Sequence, residues 1–185
     1  MQAWNVLSSE RVIHDPPWLI VRKDQVEREH TSHHYWVLEQ PAWVNVVAVT
    51  DDDLLVLVRQ YRHGIARESL EIPGGYAESD DPLADAQREL REETGYGGGS
   101  WSLLQRLSPN PALQDNWMHT YLATGVELLG DPEPDDGEDL QLELHPADAV
   151  RRLISEGEII HALHVAPLLA YDLHRMQPRA SEAPR

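Results

Sequence analysis

Residues 88–96 read RELREETGY and place Glu89, Glu92 and Glu93 within five consecutive positions. On a helix turning about 100° per residue, Glu92 lies about 60° to one side of Glu89 and Glu93 about 40° to the other. The three carboxylates therefore share one face. Like charges at this spacing repel by roughly a few tenths of a kcal/mol per pair, and within the run Arg88, four residues before Glu92, is the local counter-charge. A hard, oxygen-only face of this kind suits Mg²⁺ or Mn²⁺, since a cation turns the mutual repulsion into binding energy. The chain contains no cysteine, which removes thiolate metal sites, a cysteine nucleophile and disulfides from consideration.

The elements that must carry these acids are legible around them. Asp81 is placed to cap a helix whose first residue is Pro82 and whose first turn holds Asp85. Leu83, Ala86 and Leu90 make its apolar stripe, and Gly95 ends it. Upstream, WVNVVAVT (43–50) and LLVLVRQY (54–61) are β-rich apolar runs joined at 51–53, which predicts a hairpin. Ile72, Pro73, Gly74 and Gly75 then break the pattern. Downstream, WSLLQRL, MHTYLATGVELL and DLQLELH read as strands, followed by helical stretches over 146–156 and 159–176 and a frayed tail over 177–185. Toward the N-terminus, WLIVR (18–22) and HHYWVLE (33–39) are short strand-like pieces. Strand runs flanking one central helix, with helices at the end, predict an α/β sandwich around a mixed sheet.

Composition narrows the function classes. A chain of 185 residues with 41% hydrophobic and 25% charged residues is globular, long enough for one domain with a real core and a small extra layer. The formal net charge is −17 and Lys23 is the one lysine. Such a field repels nucleic-acid backbones and argues against duplex binding. A small anionic substrate is compatible with it where metal ions and a few placed arginines screen the charge. No apolar run reaches signal-peptide or membrane-span length, so a cytoplasmic protein without membrane contact is the expectation.

Written as spacing, the acidic helix extends to Gly74, five residues, Asp80, seven residues, then Arg88-Glu89-Leu90-x-Glu92-Glu93-x-Gly95-Tyr96. This resembles the Nudix box, G-x5-E-x7-R-E-U-x-E-E-x-G-U, where U is a bulky apolar residue. The sequence departs from it in two ways. Asp80 stands where the pattern has Glu, and relatives with a second glycine and a loop one residue longer would make Gly75 the box glycine. The two alignments differ on whether Gly74 or Gly75 supplies a metal-ligating carbonyl; relatives that ligate through the residue before the box glycine favour Gly74. The resemblance implies a Nudix-type α/β/α sandwich around a mixed sheet with a small N-terminal antiparallel β extension. The expected division is 1–40 for the extension, 41–176 for the hydrolase domain and 177–185 for the tail. It further implies Mg²⁺, with Mn²⁺ as a substitute, held by the Gly74 carbonyl, Glu89, Glu92 and Glu93. Glu92 and Glu93 are then catalytic, with Arg88 tethering Glu92 or Asp80.

The box implies hydrolysis of a nucleoside diphosphate linked to another group. VRQYRHG (58–64) followed by LEIPGG resembles the segment upstream of the box in ADP-ribose and nucleoside-diphosphate-sugar pyrophosphatases. By that likeness Arg62 is the leading diphosphate ligand and Arg59 the second, a guanidinium being suited to fork onto phosphate oxygens. Pro111, fifteen residues past Tyr96, matches the proline that marks the ADP-ribose group, with Pro109 thirteen past. DDGEDLQLEL resembles an acidic loop that supplies a further metal ligand and the general base; Glu138 fits that role first and Asp136 second. Relatives of this type dimerise through the N-terminal sheet, so a homodimer is expected, with Trp18, Tyr35, Trp36 and Trp43 as candidates to cover the base or to pack. His30, His33 and His34 read as titrating surface residues rather than a zinc site. The implied reaction converts ADP-ribose to AMP and ribose 5-phosphate. Two rival readings remain open, a MutT-like nucleoside-triphosphate pyrophosphatase and a Nudix-fold protein that senses a nucleotide without cleaving it.

Overall fold

The computed structural model describes residues 2–16, 19–134, 137 and 139–176. Trp18, Asp136, Glu138 and the tail over 177–185 lie outside the described residues. In chain order the strands and helices are β1 (Asn5–Asp15), β2 (Leu19–Arg28), β3 (Thr31–Glu39), β4 (Trp43–Val49), β5 (Leu54–Arg62), β6 (Arg67–Glu71), β7 (Gly74–Tyr76), α1 (Pro82–Thr94), β8 (Tyr96–Gly97), β9 (Ser100–Leu107), β10 (Met118–Thr124), β11 (Glu127–Leu128), β12 (Leu140–Pro146), α2 (Val150–Ser155) and α3 (Ala162–Met176). They fall into two compact units, Met1–Ala42 with Leu107–Met118, and Trp43–Arg106 with His119–Arg185.

The first unit holds an antiparallel three-stranded sheet in the order β1-β2-β3. Arg22 of β2 is its electrostatic knot. Its Nη1 donates to Glu39 Oε1 at 2.6 Å, its Nε to Asp24 Oδ1 at 3.0 Å, and Asp115 Oδ2 lies 3.4 Å from Nη1. The 107–118 segment is also tied in by its backbone, Leu38 N–H donating to Leu113 O at 2.7 Å.

The second unit is built on a seven-stranded mixed sheet, β12-β5-β4-β10-β9, with β6 added to β5 and β7 to β4. Strand alternation sends side chains to opposite faces, and both faces are covered. Val44, Val46 and Ala48 of β4 and Val56 of β5 pack with Ala86 and Leu90 of α1. Val47, Val49, Leu55 and Leu57 pack on the other side with Val150, Leu153, Leu168 and Tyr171 of α2 and α3. The result is an α/β/α sandwich around a mixed sheet, as the resemblance to the Nudix pattern implies. The hairpin of β4 and β5 pairs at Ala48↔Val56 and Val49↔Leu55. Beyond that point β7 takes up β4 from Trp43 to Asn45, and β6 takes up β5 from Val58 to Arg62. The last helix begins three residues later than the sequence suggests, because Gly157 turns at φ 75° and the Glu158 carbonyl accepts from Leu70 N–H at 3.0 Å. Residues 158–161 thus dock on β6 before α3 starts.

Candidate active site

Helix α1 is fixed at both ends by side-chain and backbone caps. The Asp81 carboxylate accepts from Leu83 N–H and Ala84 N–H, Pro82 follows it, and Gly95 closes the C-terminus at φ 75° with its N–H on Arg91 O. Asp85 is buried and accepts from Ser79 N–H and Ser79 Oγ–H, at 3.1 and 3.0 Å, which pins the preceding loop to the first turn. With Ala86 and Leu90 anchored in the core, the acidic face has little freedom to rotate.

That face meets β7. Glu93 is 4% exposed, and its Oε2 accepts the Gly74 N–H at 2.9 Å. At Gly75 a Cβ would stand 2.6 Å from Glu89 Oε1, and at Gly74 it would stand 2.3 Å from Val44 O. The two glycines thus let one strand run between β4 and the carboxylates without a side chain in the way. Arg88 spans the remaining acids, donating from Nη1 to Glu92 Oε2 at 2.6 Å and from Nη2 to Glu89 Oε1 at 2.8 Å, with Tyr76 O at 3.4 Å. Burial works against the Arg88 charge, yet Glu89 and Glu92 carry its pKa above the ordinary arginine value. Its described salt bridges run to Glu78, Glu89 and Glu92. The donor set is three carboxylates beside an extended Gly-Gly backbone, an all-oxygen arrangement whose chemistry fits a hard divalent cation.

Arg62 is paired with Glu71 of β6. Its Nε donates to Glu71 Oε1 at 3.0 Å and Oε2 at 3.2 Å. Glu71 is three residues before Gly74, so the arginine and the acidic face are joined by the short stretch 71–74. Burial of Glu71 favours its neutral form, but His161, His164 and Arg62 gathered round it win and hold its carboxyl well below the usual carboxylate range. The His164 imidazole is pushed down by burial, against the pull of Glu71. Arg59 is engaged elsewhere, with Glu143 and with Glu158 at 3.1 Å. Its pKa is raised chiefly by the Glu143 hydrogen bond.

The structure therefore gathers Gly74, Gly75, Arg88, Glu89, Glu92 and Glu93, and pairs Arg62 with Glu71, three residues before Gly74 in the chain. Pro111 belongs to the segment that groups with the N-terminal strands. Glu138 and Asp136, the candidates for base and additional ligand, lie outside the described residues. Sequence reasoning passed over Glu71, His161 and His164. Their available signals were an acid at the end of a strand-like RESLE and an H-x-x-H spacing at the start of a helix.

Comparison with known proteins bears directly on this arrangement. The model of the NUDIX domain matches residues 39–164. An ADP-ribose pyrophosphatase of Mycobacterium tuberculosis is 34% identical over 179 residues, covering 90% of this chain and 82% of that protein. An ADP-ribose pyrophosphatase of Bacillus subtilis is 32% identical, covering 68% of this chain and 69% of that one. A crystal structure of an ADP compounds hydrolase superposes with a TM-score of 0.83 at 23% identity, covering 94% of this chain and 95% of that chain, a likeness of fold. With the domain match spanning more than half of the sequence, the chain belongs to the NUDIX family.

Proposed function

We propose that this NUDIX pyrophosphohydrolase cleaves the diphosphate bridge of ADP-ribose or a related nucleotide sugar, as a cytoplasmic, Mg²⁺-dependent homodimer, releasing AMP and ribose 5-phosphate from ADP-ribose. The observation that carries the reading is Glu93, buried, ionisable and oriented by the Gly74 N–H, on the same face as Glu89 and Glu92. The relatives named ADP-ribose pyrophosphatase supply the substrate class.

Bound at this face, divalent cations would lower the pKa of a water and offset charge on the diphosphate. Glu89, Glu92 and Glu93 are the proposed ligands, with the Gly74 carbonyl beside them and Glu138 from the acidic loop. Arg88 holds Glu89 and Glu92 apart and in orientation. Arg62 takes the diphosphate, a guanidinium being suited to fork onto phosphate oxygens, while Glu71 orients it through Nε and Nη2. Glu138, with Asp136 as second choice, accepts the proton of the attacking water as the new P–O bond forms and the bridging P–O bond breaks. Both phosphates leave as monoesters. The homodimer reading draws on β1, where Val6, Leu7, Val12 and Ile13 are exposed apolar residues.

The test is product formation from ADP-ribose, GDP-mannose, UDP-glucose, diadenosine polyphosphates and deoxynucleoside triphosphates with Mg²⁺, comparing wild type with Glu93→Gln. The expected result is turnover of ADP-ribose or a nucleotide sugar, with kcat falling about 10²–10³-fold in Glu93→Gln. Preference for the triphosphates would overturn the substrate assignment. Metal-dependent binding without turnover would overturn the catalytic one.

A further inference from the structure

Away from α1, a second set of metal-ligating side chains converges. Among the described residues, Glu71, His161 and His164 form the group whose donor atoms all lie within 4.8 Å of one another. Two of them are deeply buried, Glu71 at 0% and His164 at 5% exposure. His161 and His164 stand three residues apart at the start of α3, so their rings come together, with centroids 4.5 Å apart, and both face one carboxylate. His164 Nε2 is 2.9 Å from Glu71 Oε2, and His161 Nδ1 is 3.5 Å from Oε1. Arg62 meets the same carboxylate through Nε and Nη2. An ionised carboxylate offers about four lone-pair sites, enough for the guanidinium and a further ligand.

The polar atoms here are not balanced. His161 Nδ1 and His164 Nδ1 are buried without a hydrogen-bond partner. So is Ser69 Oγ, two residues before Glu71 and therefore on the same face of β6. Buried unsatisfied polar atoms cost roughly 1–3 kcal/mol each, and of these His161 Nδ1 is the one that stands opposite the Glu71 carboxylate, at 3.5 Å from Oε1. Two imidazole nitrogens and one carboxylate oxygen form a mixed set that suits Zn²⁺, Co²⁺ or Ni²⁺ better than Mg²⁺.

We propose that Glu71, His161 and His164 constitute a second metal site, selective for a transition-metal dication and separate from the acidic face of α1. The main cost is electrostatic, because the cation shares Glu71 with the Arg62 guanidinium. A carboxylate divided between two cations holds each less tightly, so filling the site loosens the grip on Arg62. That consequence rests on the diphosphate role proposed for Arg62, whereas the metal site does not.

The experiment titrates chelator-stripped full-length protein with Co²⁺ in the presence of excess Mg²⁺, reading visible d–d absorption and the amount of Co²⁺ retained. One Co²⁺ per chain is expected. Its Kd should rise at least about tenfold in His161→Gln, as loss of a ligand implies, and stay unchanged in Glu93→Gln and in the double variant His33→Gln, His34→Gln. His161 is the decisive position because it is only half-buried and its replacement leaves the core intact, which circular dichroism would verify. No Co²⁺ retained against Mg²⁺, or equal affinity in wild type and His161→Gln, would overturn the site. Loss in Glu93→Gln would assign the ion to the acidic face, and loss in the His33, His34 variant to the surface histidines; either result overturns the proposal. None of these readouts requires turnover, so they stand apart from failure of the hydrolase assignment.

Discussion

At the residue scale the two adjacent glycines separate folding from chemistry. A methyl group at Gly74 would meet Val44 O at 2.3 Å and Asn45 Cα at 2.7 Å, both backbone atoms of a central strand. A methyl group at Gly75 would meet the Glu89 carboxylate, the far end of a flexible side chain. Gly74→Ala should therefore destabilise the fold by more than about 2 kcal/mol, as overpacking against an unyielding strand does. Gly75→Ala should leave Tm nearly unchanged while weakening Mg²⁺ dependence and lowering kcat about tenfold or more, since Glu89 has to move. Thermal unfolding and a Mg²⁺ titration of activity on the two variants decide it; equal losses of stability in both would sink the distinction. The carboxylates themselves were legible because a 100° helical step turns spacing into a shared face. The Gly74 N–H that orients Glu93 and the Tyr76 carbonyl that accepts from Arg88 are backbone groups that no side-chain pattern reports. Glu71 was hidden for a related reason. One of two acids in a short strand resembles surface until a fold places two histidines, at least ninety residues later, against it.

At the element scale, legibility follows how strongly each element is signalled locally. Helix α1 begins and ends where Asp81, Pro82 and Gly95 place it, because capping is a matter of adjacent residues. The Asp81 cap predicts its own test. Asp81→Ala removes two hydrogen bonds to Leu83 N–H and Ala84 N–H and should cost about 1 kcal/mol, read as a shift in urea midpoint at unchanged m. No change would mean the loop contacts through Asp85 hold the helix end alone. Strand β1 escaped the sequence reading for the opposite reason. All eleven of its residues are exposed, so NVLSSERVIHD shows no buried face and hence no two-residue period. Strands β6 and β7 were missed because they are short and lie around the Pro-Gly-Gly break, where sheet pairing to β5 and β4 overrides local preference. The start of α3 was misplaced because the docking of residues 158–161 on β6 is a long-range contact.

At the scale of the whole molecule, an excess of acids makes the response to pH a property of where the arginines sit. In the N-terminal unit Arg22 serves Glu39 and Asp24 together, and its own pKa is raised above the ordinary arginine value chiefly by the Glu39 hydrogen bond. Glu39 is depressed first by Arg22, over the opposing effect of burial. At Asp24 burial acts to raise the pKa, but hydrogen bonds from Ser9 and Arg22 bring it below the usual value. Between the folded and unfolded values of these two acids the unfolded chain binds more protons, so stability there rises with pH. The contribution is complete above the unfolded carboxylate range, about pH 4, and is lost as pH falls through the lower folded values. Amide exchange in β2 and β3 should accordingly accelerate as pH drops below about 4, once corrected for the intrinsic pH dependence of exchange. Arg22→Ala, which strands two largely buried carboxylates, should cost this sheet about 2 kcal/mol at neutral pH and flatten its acid response. Because part of the loss at neutral pH comes from unpaired Asp24 and Glu39, the variant should recover relative to wild type as those groups protonate. Identical pH slopes in wild type and Arg22→Ala would show that the three-stranded sheet owes its stability to its backbone pairing rather than to this ion cluster.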